Sequence, residues 1–220
     1  MAKDDSPYVT SAFGQPVPTV THSLQIGGYP VSSDVHLFEK QQTFNRAKAL
    51  ERMVHPSGSG AFGYFETTTD EAGKLSKAMF LQGVGKNTPV FTRFSTVTVG
   101  KEFPDSCRNP RGFAVKFYTE GGNVSDYFAV PLKVSWPDVI RSQQRNPRNF
   151  LIDYDSWYDF LANVPESMHA GTMLMSDHGT PVGWRFMDGF GCHTFKWVNA
   201  SGAQTFVKYH WLSEQPRSIA

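Results

Sequence analysis

His55 stands where this sequence offers the most chemistry. Glu51-Arg52-Met-Val-His55 puts a guanidinium three residues ahead of an imidazole. The pair runs straight into Gly58-Ser-Gly60-Ala-Phe-Gly-Tyr-Phe65. Small residues let the backbone approach a flat ligand closely, and the aromatic run that follows reads as a strand, so the imidazole is expected at the mouth of a sheet. An imidazole titrates near neutral pH, so there it can take a proton from one atom and return it to another. A solitary His is more often structural; the spacing from Arg52 through the glycines shifts the weight toward a site.

The elements that must hold this segment are legible in outline. Residues 1–35 are rich in Pro, Gly, Ser and Thr without a helical period and read as an extended arm. Leu37 to Glu51 carries Leu37, Phe38, Phe44 and Leu50 among charges, a modest amphipathic helix leading into the His55 segment. Ala78–Gly83, Pro89–Val97 and Gly112–Tyr118 read as strands punctuated by Gly and Pro, as in an antiparallel barrel or sandwich. Asp153 to Val164 is expected to be helical with Trp157, Phe160 and Leu161 inward, and Pro165 to open a further short helix. Thr194–Val198 and Thr205–Trp211 give a final hairpin around Asn199-Ala-Ser-Gly202. The expected class is α+β, mostly β: an antiparallel barrel core over residues 36–220, preceded by the arm, with a few helices and no internal repeat.

Composition narrows the classes. A chain of 220 residues can bury one sizeable core. A net charge of +1 without a basic block argues against nucleic acid as a partner. Two cysteines, Cys107 and Cys192, make no disulfide framework and suit a reducing compartment. No apolar run reaches the length of a membrane span, and the N-terminus has no signal-peptide core, so the chain reads as cytoplasmic, with a peroxisomal location also compatible. Eighteen Phe, eight Tyr and five Trp are the unusual feature, and most are expected to pack a core.

Several motifs in one order resemble the haem catalase family. The segment from Phe44-Asn-Arg46 through His55 to Phe65 looks like its active-site signature, and Thr92-Arg93-Phe-Ser95-Thr-Val97 like its distal strand. Arg108-Asn-Pro-Arg111-Gly112-Phe-Ala-Val-Lys-Phe-Tyr-Thr-Glu120 resembles the next core strand. Pro137 to Pro147, Pro165-Glu-Ser-Met-His169, Met175-Ser-Asp177 and Gly189 to Asn199 follow in family order. The resemblance implies haem as cofactor and hydrogen peroxide, an organic hydroperoxide or a small apolar molecule as substrate. It implies His55 as the distal acid and base, and Ser95 as the hydroxyl that fixes its tautomer. Arg52 and Arg93 are the implied partners of haem propionates, where paired guanidinium donors meet a carboxylate. Val54, Gly112 and Phe113 are the implied neighbours of the distal haem face.

The sequence departs from the family in three places. The turn that carries the second distal amide has no counterpart after Glu120-Gly-Gly-Asn123, where Ser125 or Asp126 would take its space, so turnover below family norms is expected. The chain stops at Ala220, ahead of the family's Arg-Leu-Phe-x-Tyr pattern with the axial iron ligand and ahead of the strands that complete the barrel. The barrel is therefore expected to be incomplete, and the chain to self-associate or pair with a complementing chain. At the family's NADPH positions His169 and Ser176 match. His178 and Leu212 stand where the family has cations and Asp188 where it has an amide, so no NADPH site is expected. Three readings stay open: a peroxide-decomposing haem protein, a haem relative that rearranges hydroperoxides, and a haem-free protein that binds a small molecule or a partner chain.

Overall fold

The computed structural model describes residues 9–11, 13–14, 16–17, 24–27, 29–31, 35–47, 51–127 and 136–215. Residues 128–135 and much of the arm lie outside these, while Ser125 and Asp126, expected to take the space of the missing turn, lie in the strand Gly122–Tyr127. The chain divides into two compact units, Met1–Met53 with Leu132–Val164, and Val54–Pro131 with Pro165–Ala220. No helix among the described residues is long and apolar enough to cross a membrane.

In the first unit the described parts of the arm form two-residue antiparallel ladders, Val9–Thr10 with Pro16–Val17 and Gln25–Ile26 with Tyr29–Pro30. Three helices follow: α1 (Val35–Arg46), α2 (Trp136–Ser142) and α3 (Tyr154–Asn163). Helix α1 buries Phe44 and the stem of Lys40, whose ammonium meets the Asp138 carboxylate of α2 at 2.6 Å. Arg141 lies over the Phe44 ring. Asp153 caps α3 by accepting from the Ser156 N–H at 3.1 Å, and that bond holds its carboxyl below the usual range. Helix α3 falls within one residue of its expected span. Helix α1 begins two residues early and ends at Arg46, short of the expected Glu51.

The second unit is built on one four-stranded antiparallel sheet in the order β1 (Gly58–Glu66), β2 (Asn87–Thr96), β3 (Arg111–Thr119) and β4 (Gly122–Tyr127). Strand residues alternate between faces. One face carries Phe65, Val90, Val115 and Phe117, and it is closed by Phe80 and Leu81 with Trp197 and Trp211. Phe117, 2% exposed, meets the rings of Phe65, Phe80 and Trp211 at 5.5, 4.6 and 6.0 Å. Ala78–Gly83, expected as a strand, instead holds the 3-10 turn Met79–Leu81. The Thr67 hydroxyl donates to the Phe80 carbonyl at 2.8 Å, which seats Phe80 and Leu81 as a plug on the sheet. A short apolar run fits either structure by pattern alone, and the open sheet face decides it. Further on, α4 (Met168–Met175) follows a 3-10 turn at Pro165–Ser167, as expected. The hairpin β5 (Phe195–Val198) and β6 (Gln204–Val207) turns at Asn199, whose side-chain oxygen accepts from the N–H groups of Ser201 and Ala203.

Candidate active site

His55 lies three residues ahead of β1, on the side of the sheet away from the aromatic core. Its backbone adopts the left-handed region, with φ at 60°, a conformation that His tolerates better than most residues but that still must be enforced. Two bonds enforce it. The His55 N–H donates to the Val97 carbonyl at 2.8 Å, and the His55 carbonyl accepts from the Arg93 guanidinium at 2.8 Å.

The ring is held separately. Sheet register lines up Gly58, Ser95 and Gly112 in one row across β1, β2 and β3. The Ser95 side chain, 3% exposed, meets His55 Nδ1 at 2.9 Å. Gly112 lies directly under the imidazole: a Cβ built there would fall 2.6 Å from both Cε1 and Nδ1 of His55 and 2.8 Å from Ser95 Oγ. The sheet thus fixes the imidazole by one polar contact and one bare stretch of backbone. An imidazole anchored at Nδ1 has a fixed orientation, which general acid-base work requires.

Moving along the same face, Phe91 lies against Gly60, and Phe62 meets Phe91 with ring centroids 4.9 Å apart while staying 86% exposed. His55 therefore sits at one end of a sheet face that carries small residues, the Phe62 and Phe91 rings, and the side chains of Arg93 and Lys116. At Gly60 and Gly112 a ring lies on this face where a Cβ would stand, and at Gly58 the Phe94 carbonyl and Ser95 close in instead.

The sequence-derived residues separate into groups. His55, Ser95, Arg93 and Gly112 come together as described. Val54 is half-buried next to His55. Phe113, as the neighbour of Gly112 along β3, points to the opposite face, where it meets Phe94 at 5.0 Å and stacks on Trp211 at 6.0 Å. Its place is in the aromatic core behind the site. Arg52 is exposed and belongs to the first unit. Arg93 makes one bond to the His55 carbonyl, and a guanidinium carries five N–H donors, so that bond is compatible with a second acceptor.

Two further arginines brace the start of β3. Arg108 donates to the Leu174 and Ser176 carbonyls, and Arg111 to those of Gly179, Asp105 and Cys107. Burial pushes the Arg111 guanidinium below its usual pKa, opposed by Asp105 and Cys107; a guanidinium stays charged throughout the physiological range regardless. In the sequence these residues stand out as a motif without a role of their own. A run of Arg, Asn, Pro and Arg ahead of a strand is the available signal for a braced strand entry.

A catalase family model matches residues 10–219. Catalases of Methanosarcina barkeri and Latilactobacillus sakei are 45% and 46% identical over 97% and 94% of this chain. The chain spans 44% and 45% of their respective lengths. Among solved structures, a fungal catalase gives a TM-score of 0.71 at 35% identity, covering 97% of this chain and 44% of that one. A bacterial catalase gives 0.67 at 42% identity, covering 96% of this chain and 42% of its own. The architecture is the catalase fold, mixed α/β with antiparallel sheets.

Proposed function

The chain belongs to the catalase family, and on that premise we propose that it supplies the distal side of a haem site acting on hydrogen peroxide or an organic hydroperoxide. The observation that supports this most is the imidazole of His55 held at 2.9 Å by Ser95 over the bare backbone of Gly112.

The residues present fit such a group. A flat ligand with an acidic edge needs bare backbone or rings beside a cation, and Gly112, Phe62 and Phe91 share the His55 face with Arg93. Val54 and Gly112 would border the distal side, and Arg93 would meet a propionate with paired donors. Among the described residues no cluster of three or more His, Cys, Asp or Glu side chains could hold a metal ion alone. When bound, haem supplies the iron at which the peroxide bond is opened.

The protein's own part is the proton. Ser95 engages Nδ1, and Nε2 receives a proton from one peroxide oxygen and delivers it to the other. Neither transfer requires the ring to move. The buried Ser95 and the Gly112 floor keep the imidazole in one orientation, and positioning of this kind accounts for a large part of an enzyme's rate. An antiparallel barrel that these strands form only in part belongs to the same reading. Supplying haem to the protein and following oxygen release from hydrogen peroxide tests it.

NADPH is not part of the reading. Asp188 accepts from the Ser213 N–H at 2.8 Å, and Leu212 is 69% exposed where a cation would serve a phosphate. Isothermal titration at physiological salt is expected to show no micromolar affinity for NADPH, and such affinity would contradict the charge argument.

A further inference from the structure

We propose that Asn109 is a positioning residue for His55, acting through the peptide that joins Val97 to Thr98. This inference rests on His55 as the proton-moving group.

Strand β2 ends its ladder at Thr96, paired with Arg111. Beyond it the chain turns sharply, and Val99 is held at φ 79°, a costly conformation for a β-branched residue. Beyond the ladder the Val97 N–H still reaches the Pro110 carbonyl at 3.1 Å, and Asn109 adds side-chain partners for Val97 and Thr98. Its side-chain oxygen accepts from the Val97 N–H at 2.8 Å and from the Thr98 N–H at 3.3 Å. Its side-chain nitrogen donates to Thr98 Oγ1 at 3.0 Å.

A peptide unit is planar and turns as one body. The Thr98 N–H that Asn109 holds and the Val97 carbonyl that accepts from the His55 N–H at 2.8 Å belong to the same unit. Fixing one end sets the tilt of the other. Asn109 thereby aims the carbonyl from which the left-handed backbone of His55 is suspended, and the imidazole follows its backbone.

Burial makes the arrangement exacting. Asn109 is 3% exposed, Thr98 5% and Val97 8%, so bulk water is a poor substitute for a lost amide there. The Asn109 backbone is itself pinned, its carbonyl accepting from Arg111 at 3.1 Å. The structural contribution and the positioning contribution are separable, because Asp keeps an oxygen that accepts from both N–H groups, and the Thr98 hydroxyl can donate to its second oxygen, while Leu has no acceptor and Ser is too short.

Asn109→Leu, Asn109→Ser and Asn109→Asp test this by two measurements. The first is nitrogen NMR of the His55 imidazole, which reads its tautomer and hydrogen bonding in the full chain with or without haem. The second is peroxide turnover of the haem-supplied protein. Leu and Ser are expected to shift the His55 nitrogen signals toward those of a free imidazole and to lower turnover roughly ten- to hundredfold, the scale of a displaced catalytic group. Asp is expected to retain the wild-type signals and most of the turnover. Should Leu fail to fold, Ser and Asp carry the comparison. Wild-type His55 signals in folded Leu or Ser variants would overturn the proposal, and so would an Asp variant as impaired as Ser. A wild-type protein without turnover would count against the catalase reading alone, since the imidazole signals still report on Asn109.

Discussion

Replacing His55 with Ala is expected to lower peroxide turnover by at least about a hundredfold, the usual scale for a lost general acid and base. That factor corresponds to about 2.7 kcal/mol of barrier. Haem absorption should persist, since the imidazole in this account moves protons and the porphyrin rests on other groups. The left-handed φ of 60° at this position adds a complication, because Ala pays roughly 1 kcal/mol there and glycine does not. His55→Gly therefore serves as a companion that removes the ring without backbone strain. Both variants should lose turnover alike. Unchanged turnover in either one, at equal haem content, would remove His55 from the reaction.

Gly112→Ala tests the floor beneath the ring. A single methyl group there would lie 2.6 Å from two imidazole atoms and 2.8 Å from Ser95 Oγ, closer than real Cβ contacts. The methyl group acts on the ring and on Ser95 while the strand itself can stay in place. The imidazole must tilt off the face and lose its 2.9 Å contact with Ser95. Turnover is expected to fall roughly a hundredfold, as for an ångström of misplacement, with overpacking costing about 1–3 kcal/mol of stability. Thermal denaturation alongside steady-state rates separates the two effects. A stable Gly112→Ala protein with wild-type rates would show that the ring need not lie on bare backbone.

Much of this arrangement was legible in the sequence, and the limits follow from how far apart its parts lie along the chain. The strands around Gly58, Ser95 and Gly112 announce themselves by aromatic and β-branched runs between glycines, and the final hairpin by Asn199 and Gly202. Their alignment in one row across three strands does not, because register depends on pairing between residues about 37 and 17 positions apart. Ser95 was reached through a resemblance, since no local pattern singles out one serine in a strand. Phe113 shows the cost of missing faces: it was expected beside the ligand, and strand alternation sends it into the core. The 3-10 turn at Met79–Leu81 shows a short apolar run taking its form from the surface it covers. Asn109 was invisible as a device, because an amide before proline reads as turn chemistry and only the folded chain shows what it holds.

Oxygen release from hydrogen peroxide by the haem-supplied protein, followed on an oxygen electrode together with its visible spectrum, tests the central claim most directly. The account predicts a haem absorption band, and release of one oxygen molecule for every two peroxides consumed, by a wild-type protein that outpaces His55→Gly by at least about a hundredfold. Haem absorption without oxygen release, or equal release from wild type and His55→Gly, would contradict it.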